Sequence, residues 1–171
     1  DNAEGKHFGK ISMTQCLAFS VNTCMVSVAE RMGKKLFQGA LHRFGFGQIT
    51  GIPLENELPG RLKPWRDWSD AELANAAFGQ GLSVTPLQMI TAFAALANGG
   101  RLLQPILVDR TIAEDGTETL SETIVLDQVI SEQTSQTITA MLVASTRDGF
   151  AKRGKVPGYT IAGKTGTSQI A

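Results

Sequence analysis

The chain has 171 residues, of which 42% are hydrophobic and 19% are charged, proportions typical of a globular domain with one sizeable core. Sixteen basic residues balance sixteen acidic ones, so the positive excess that nucleic-acid binding requires is missing. No apolar run approaches the roughly 20 residues that a membrane-spanning helix needs.

The first strong helical pattern is the stretch ISMTQCLAFSVNTCMVSVAERMG, residues 11–33. Ser12 and Gln15 form an S-x-x-Q capping box, apolar residues follow at helical spacing, and Gly33 is predicted to end the run. The polar residues within 20–23 interrupt the pattern. This interruption predicts a turn between two helices.

Cys16 and Cys24 lie eight residues apart in this stretch. Two turns of continuous helix would separate their Cα atoms by about 12 Å, whereas a disulfide spans at most about 7 Å. A break in the helix would weaken that estimate, but we expect two buried free thiols. Free thiols carry no information about the redox compartment.

Loops, helices and a hairpin are predicted further along the chain. Glycines, prolines and the WRDW segment predict an ordered loop over residues 44–68. Thr85 as N-cap and Pro86 at the first helical position predict a helix that ends before Gly99. Alternating apolar residues around EDGT predict a β-hairpin, and another helix is predicted from residue 131 to about residue 147. This mixture indicates an α+β fold.

The stretch GYTIAGKT, residues 158–165, fits two short motifs. It matches the phosphate-binding pattern G-x-x-x-x-G-K-[ST], and Lys164 also begins the K-T-G triplet found in penicillin-binding proteins and serine β-lactamases. A phosphate-binding loop must follow a buried strand and open a helix, but the preceding AKRGKVP is basic and only six residues follow Thr165. We therefore reject nucleotide binding. The alternation of Tyr159 and Ile161 instead predicts an edge strand from which Lys164 reaches a substrate carboxylate.

Ser20, Val21 and Asn22 form an S-x-N triplet at the predicted helix junction. Taken alone, the triplet is better explained by Asn22 acting as the N-cap of the second helix. Together with K-T-G, the segments LAFSVNTCMVSVAERMG, FGQGLSVTPLQMITAFAALANGG and IAGKTGTSQIA resemble the transpeptidase domain of class B penicillin-binding proteins, which act in cell division or elongation. The resemblance covers nearly the whole chain.

The resemblance implies the penicillin-binding fold, an α/β sandwich in which helices flank an antiparallel sheet. It also implies a serine-type D-Ala-D-Ala transpeptidase or carboxypeptidase that cross-links peptidoglycan stem peptides and is acylated by β-lactams. Three residues would be catalytic. Ser20 would relay protons between the nucleophile, a lysine and the leaving amine, Asn22 would hydrogen-bond the acyl-side amide of the substrate, and Lys164 would be the lysine of the third motif.

Three further residues would bind substrate. Thr165 and Thr167 would help to bind the terminal carboxylate of the D-Ala-D-Ala donor, and Gly166 would let the substrate lie against the backbone. The backbone N–H of Thr167 would form one half of the oxyanion hole.

The sequence departs from the family pattern in one respect, since no serine of the chain begins the S-x-x-K motif of the acylated serine. We therefore expect residues 1–171 to be the C-terminal part of a single transpeptidase domain, without the nucleophile helix and the last strands, and inactive when isolated. A non-catalytic scaffold or binding module with the same fold remains an alternative. A serine β-lactamase is another, although Glu72, its only candidate for a deacylating carboxylate, is better explained by a capping box with Ser69.

We expect no cofactor and no metal, because His7 and His42 lie far apart in the sequence without partner ligands. The implied partners are a stem peptide ending in D-Ala-D-Ala, β-lactam antibiotics, and glycosyltransferase and other proteins of the division or elongation machinery, with no nucleic acid. The resemblance also implies a bacterial inner-membrane anchor and a catalytic domain in the periplasm.

Overall fold

A computed structural model of the chain describes Asn2, Gly5 and residues 7–166, and the elements below belong to this part. The helices are α1 (Met13–Ala18), α2 (Asn22–Arg43), α3 (Asp70–Ala77), α4 (Pro86–Ala97) and α5 (Glu132–Arg147), with short 3-10 helices at Trp65–Asp67 and Lys152–Gly154. The strands are β1 (Arg101–Leu103), β2 (Arg110–Ile112), β3 (Glu118–Leu120) and β4 (Val125–Gln128). The predicted α+β class is confirmed. None of the helices in this part is long and apolar enough to cross a lipid bilayer.

Three of the helices begin with a complete capping box. In each, the N-cap hydroxyl accepts a hydrogen bond from the backbone N–H three residues later, and the side-chain oxygen of that later residue accepts one from the N-cap backbone N–H. The pairs are Ser12–Gln15, Ser69–Glu72 and Thr85–Gln88. These boxes satisfy backbone N–H groups that a helix start otherwise leaves without partners. The predicted helix starts are confirmed, and so is the structural explanation of Glu72.

The S-x-N triplet lies at the turn between α1 and α2. Ser20 adopts a left-handed backbone with φ of 49°, which interrupts the helix between α1 and α2. The predicted turn between two helices is confirmed. The interpretation of Asn22 as N-cap is wrong, because Val21 occupies that position and Asn22 is the first residue of α2.

Gly33 interrupts α2 and divides it into two helical parts. Its φ of 74° and ψ of 157° are non-helical, but the helix resumes and continues to Arg43. The second part of α2 carries Phe37 and Leu41, which pack against the core cluster of Ala29, Trp68, Leu73 and Ala76. The predicted helix end at Gly33 is confirmed, and packing on α3 stabilises a second helical part that the sequence pattern did not predict.

Cys16 and Cys24 form a disulfide, with Cα atoms 6.1 Å apart. The prediction of free thiols is therefore wrong. It assumed continuous helix, whereas the left-handed turn at Ser20 breaks the helix between the two cysteines, and their Cα atoms lie at about half the predicted separation.

The loop between α2 and α3 is ordered by Gln88, whose side chain is buried at the start of α4. Its Nε2 donates hydrogen bonds to the carbonyl oxygens of Gln48, at 2.6 Å, and Pro59, at 2.8 Å. Trp68 closes the loop, since it is 5% exposed and its indole N–H donates to the carbonyl oxygen of Lys63. The predicted ordered loop is confirmed.

The strands form two small antiparallel sheets. β2 and β3 make the predicted hairpin around EDGT, and β1 pairs with β4. Behind β1, Leu102 packs with Ala95 of α4 and with Val129 in a second core cluster.

The strand predicted from Tyr159 onward is wrong for residues 159–166. A strand requires a neighbouring strand to receive its hydrogen bonds, and among the described residues none pairs with this segment. The segment lies instead against α5, to which it is hydrogen-bonded.

Candidate active site

The C-terminal half of α5 supports the K-T-G segment. The backbone N–H of Gly163 donates to the carbonyl oxygen of Leu142 at 3.3 Å. One turn later, the hydroxyl of Thr146 donates to the carbonyl oxygen of Ile161. These contacts position the backbone on the N-terminal side of Lys164.

The end of the same helix also supports the S-x-N turn. The backbone N–H of Phe150 donates to the carbonyl oxygen of Ala18 at 3.0 Å. Gly149 lies so close to α1 that an added Cβ atom would overlap with that carbonyl oxygen. The rings of Phe19 and Phe150 pack edge to face with centroids 5.8 Å apart. One helix end therefore holds both motifs in place.

The turn holds Ser20 through backbone hydrogen bonds on either side. The Ser20 N–H donates to the carbonyl oxygen of Leu17 at 3.2 Å, and the Val21 N–H donates to that of Cys16 at 3.0 Å. Val21 is only 2% exposed, which anchors the turn in the core. The hydroxyl of Ser20, by contrast, belongs to a half-buried side chain and is accessible to other groups.

Lys164 reaches Ser20 across the gap between the two segments. Its Nζ donates to the Ser20 Oγ at 2.8 Å. The same Nζ also donates to the carbonyl oxygen of Thr165 at 3.0 Å and approaches the Thr165 Oγ1 at 3.4 Å. The structure therefore brings together two predicted catalytic residues that are 144 positions apart in the sequence.

Burial lowers the pKa of Lys164 below its ordinary value of 10.5, because desolvation disfavours the ammonium form. Among the side chains that the structure describes, none of the carboxylates forms an ion pair with this ammonium. A half-buried cation without a carboxylate partner is suited to receive an anionic group from a ligand.

The other predicted site residues are Asn22, Thr165, Gly166 and Thr167. Asn22 is half-buried at the start of α2, two positions after Ser20, and its carboxamide makes no hydrogen bond to another described residue. Thr165 and Gly166 are exposed beside Lys164. Thr167 lies outside the described residues.

Sequence reasoning missed the groups that support this site. Thr146 and Gly149 support the two motifs from α5, and the disulfide links the two helices around Ser20. The polar interruption at residues 20–23 was the available signal for the disulfide, since a turn there brings the cysteines together. No group of three or more His, Cys, Asp or Glu side chains that could bind a metal ion occurs in the described part of the chain.

The family described as penicillin binding protein transpeptidase domain matches residues 2–171. Penicillin-binding protein PbpB of Mycobacterium tuberculosis is 38% identical over 169 residues, which cover 95% of this chain and 24% of the relative. The chain thus spans about a quarter of the length of the first curated relatives it matches.

Solved structures share the fold. Penicillin binding protein 3 of M. tuberculosis complexed with ampicillin has a TM-score of 0.87 at 35% identity, covering 98% of this chain and 39% of that one. The D,D-transpeptidase domain of a peptidoglycan glycosyltransferase from Eggerthella lenta also has a TM-score of 0.87, at 26% identity, covering 99% of this chain and 45% of that one. These matches confirm the resemblance inferred from the S-x-N and K-T-G segments, and the penicillin-binding fold with it. The chain belongs to the penicillin-binding protein transpeptidase domain family.

Proposed function

We propose that the full-length protein carrying this chain is a peptidoglycan D,D-transpeptidase that works through a serine acyl-enzyme and is acylated by β-lactams. The observation that carries the proposal is the 2.8 Å hydrogen bond from Lys164 Nζ to Ser20 Oγ. It joins the S-x-N and K-T-G motifs at one place, as proton transfer between them requires. The similarity to a penicillin-binding protein crystallised with ampicillin supports the same conclusion.

In this proposal Ser20 is the proton relay. A hydroxyl has one proton to donate and two lone pairs to accept. Because Lys164 donates to the Ser20 Oγ, one lone pair is occupied and the hydroxyl proton is free to point elsewhere. That proton goes to the leaving amine as the peptide bond breaks, and Ser20 is reprotonated through the lysine network.

Lys164 has a second task, the binding of the terminal carboxylate of the donor peptide. Its half-buried ammonium is beside the Thr165 hydroxyl, and Gly166 lacks a side chain that would block the approach. The hydroxyl of Thr167 completes the carboxylate site, and its N–H provides one half of the oxyanion hole. One such donor typically contributes about 3–4 kcal/mol of transition-state stabilisation. The carboxamide of Asn22 hydrogen-bonds the acyl-side amide of the substrate.

The proposal assigns the acylated serine to a part of the protein outside these 171 residues, since none of their serines begins S-x-x-K. Residues 1–171 would then be the C-terminal part of one transpeptidase domain, completed by a nucleophile helix and further strands. The Cys16–Cys24 disulfide supports a location outside the cytoplasm, because structural disulfides persist in oxidising compartments. We place the domain in the periplasm of an inner-membrane-anchored protein that acts with glycosyltransferase partners in division or elongation.

A fluorescent penicillin added to the full-length protein tests this function. The wild-type protein should be labelled covalently, whereas Ser20→Ala and Lys164→Ala should be labelled about 100-fold or more slowly. Lys155→Ala provides a matched control, since Lys155 is an exposed lysine nine positions away and should leave the rate unchanged. Failure to label a well-folded wild-type protein under any condition would overturn the proposal.

The same assay separates the two alternatives. A scaffold with this fold would bind penicillin without a covalent adduct, and its gene would encode no S-x-x-K upstream of residue 1. A serine β-lactamase would release hydrolysed product repeatedly. A transpeptidase would instead retain the adduct.

A further inference from the structure

The Cys16–Cys24 disulfide is centred on Ser20, which lies four residues from each cysteine. Cys16 belongs to α1 and is fully buried, while Cys24 belongs to the first turn of α2. The cross-link therefore closes a nine-residue ring whose central residue carries the hydroxyl that Lys164 contacts.

Ser20 needs external support to keep its position. Its φ of 49° is in the left-handed region, which residues other than glycine occupy at a cost and only where the surroundings hold them. Two backbone hydrogen bonds of this turn involve the cysteines. The Val21 N–H donates to the Cys16 carbonyl at 3.0 Å, and the Cys24 N–H donates to the Val21 carbonyl at 3.2 Å.

Helix α1 cannot supply this support by itself. It has six residues, fewer than an isolated helix needs to be stable in water. Its contacts with α5 fix one side, through Ala18 and Phe150. The disulfide is the covalent tie on the other side, where α1 meets α2.

We propose that the Cys16–Cys24 disulfide is a positioning element of the active site, which holds the Ser20 hydroxyl at hydrogen-bond distance from Lys164. The inference rests on the proposed function. It states that loss of the cross-link slows acylation in protein that is still folded. A disulfide that only stabilised the domain would change unfolding and leave the folded protein's rate constants unchanged.

The test uses the full-length protein and a fluorescent penicillin, with the non-covalent dissociation constant and the first-order acylation rate constant measured separately by stopped flow. Non-reducing peptide mapping first establishes the cross-link in the purified protein. The Cys16→Ala/Cys24→Ala variant and wild-type protein reduced with tris(2-carboxyethyl)phosphine are then compared with oxidised wild type. The phosphine breaks the S–S bond to give two thiols and becomes a phosphine oxide, whose oxygen comes from water.

We expect the acylation rate constant to fall about 10- to 100-fold in both cross-link-free forms, the range that small misplacement of a reacting group produces. The dissociation constant should change less than about twofold, because K-T-G is held by α5 and not by the disulfide. Re-oxidation should restore the wild-type rate. The phosphine should have no effect on the double variant.

Ser69→Ala serves as the stability control. It removes the N-cap of α3, which packs on α2 and makes none of the hydrogen bonds of the Ser20 turn, and should lower thermal stability without changing the acylation rate constant.

Four results would overturn the inference. These are free thiols in the native protein, an unchanged acylation rate constant in the folded reduced form, a decrease no larger than that of Ser69→Ala, and unfolding of both cross-link-free forms. The last result would make the disulfide a general stabiliser. If oxidised wild type is not labelled at all, the proposed function itself fails, and this outcome is distinct from the other four.

Discussion

Ser20 and Lys164 each occupy a position that costs folding free energy. Ser20 has a backbone conformation suited to glycine, and Lys164 is half-buried without a carboxylate partner among the described residues. Costs of this kind concentrate at functional sites, where geometry is maintained at the expense of stability. Substitutions that remove these costs should therefore keep or raise the stability of the protein while abolishing its activity.

Lys164→Met should abolish acylation of the full-length protein without destabilising it. Methionine has a similar length and no charge to desolvate, so the free energy of unfolding should stay within about 0.5 kcal/mol of wild type or rise. Burial lowers the pKa of Lys164, so the unfolded chain binds more protons than the folded one between the lowered value and 10.5. The free energy of unfolding of the wild-type protein therefore increases as pH rises through that window. The amount by which Lys164→Met exceeds wild type in stability should decrease over the same range. Urea unfolding at neutral and alkaline pH measures both effects, and a loss above about 1.5 kcal/mol would contradict them.

Ser20→Gly and Ser20→Ala should have the same effect on acylation but different effects on stability. Both remove the hydroxyl, so both should lose acylation. Glycine adopts the φ of 49° without the Cβ clash, and Ser20→Gly should be more stable than Ser20→Ala by about 1–2 kcal/mol. Thermal denaturation of the two variants measures the difference. Equal stabilities would show that the turn at Ser20 is not strained.

At the level of elements, α5 determines how the two motifs meet. Its end contacts α1 through Gly149 and Phe150, and its side contacts the K-T-G segment through Leu142 and Thr146. Movement of either contact would separate Ser20 from Lys164. These contacts lie outside both motifs, yet the site depends on them.

Gly149→Ala should disrupt this arrangement. The added methyl group would overlap with the Ala18 carbonyl and push α1 away from α5, at a cost of about 1–3 kcal/mol and a large loss of acylation. Gly154→Ala is the matched control, because its Cβ would meet nothing within 4 Å, and it should stay within about 0.5 kcal/mol of wild type. Acylation rates and melting temperatures of both variants test the prediction. Similar behaviour of the two would refute the role of Gly149.

The α3 capping box should make a small, acid-sensitive contribution. Hydrogen bonds from Lys63 and from Ser69 lower the pKa of Glu72 from 4.5 to about 2. Because the folded pKa is the lower one, this contribution is present above pH 4.5 and is lost as pH falls toward 2. Glu72→Gln keeps a capping side chain and should flatten the pH dependence of the melting temperature in that window. An unchanged slope would show that the exposed ion pair contributes nothing measurable.

At the level of the whole molecule, the 171 residues contain half of the proposed catalytic machinery. Ser20 and Lys164 are in contact, but the sequence offers no S-x-x-K serine to acylate. We therefore expect the isolated chain to gain no mass on incubation with penicillin, while the full-length protein gains one adduct. Intact-mass spectrometry measures this directly. A covalent adduct on the isolated chain would show that another of its residues is the nucleophile.

Local patterns predicted most elements correctly. The capping boxes, the helix that starts at Pro86, the EDGT hairpin and the turn at residues 20–23 are all present. Each depends on residues within a few positions of one another, so a single sequence contains the information. The S-x-N and K-T-G segments also carried the family resemblance, which the comparisons confirm.

Three predictions were wrong: the strand at residues 159–166, the free thiols and the N-cap role of Asn22. The second helical part of α2, after Gly33, was also not predicted, because it depends on packing against α3. Tyr159 and Ile161 alternate as in a strand, but the segment is hydrogen-bonded to α5. Cys16 and Cys24 are too far apart in a continuous helix, yet the turn brings them into a disulfide.

Short-range capping, turn chemistry and motif spacing are local properties, so the residues alone predict the capped helix starts, the turn between α1 and α2 and the family resemblance. The 2.8 Å contact between Ser20 and Lys164, and its support by a disulfide and by the end of α5, could be found only in the folded protein. These contacts join segments up to 144 residues apart, and their approach depends on how α1, α2 and α5 pack together.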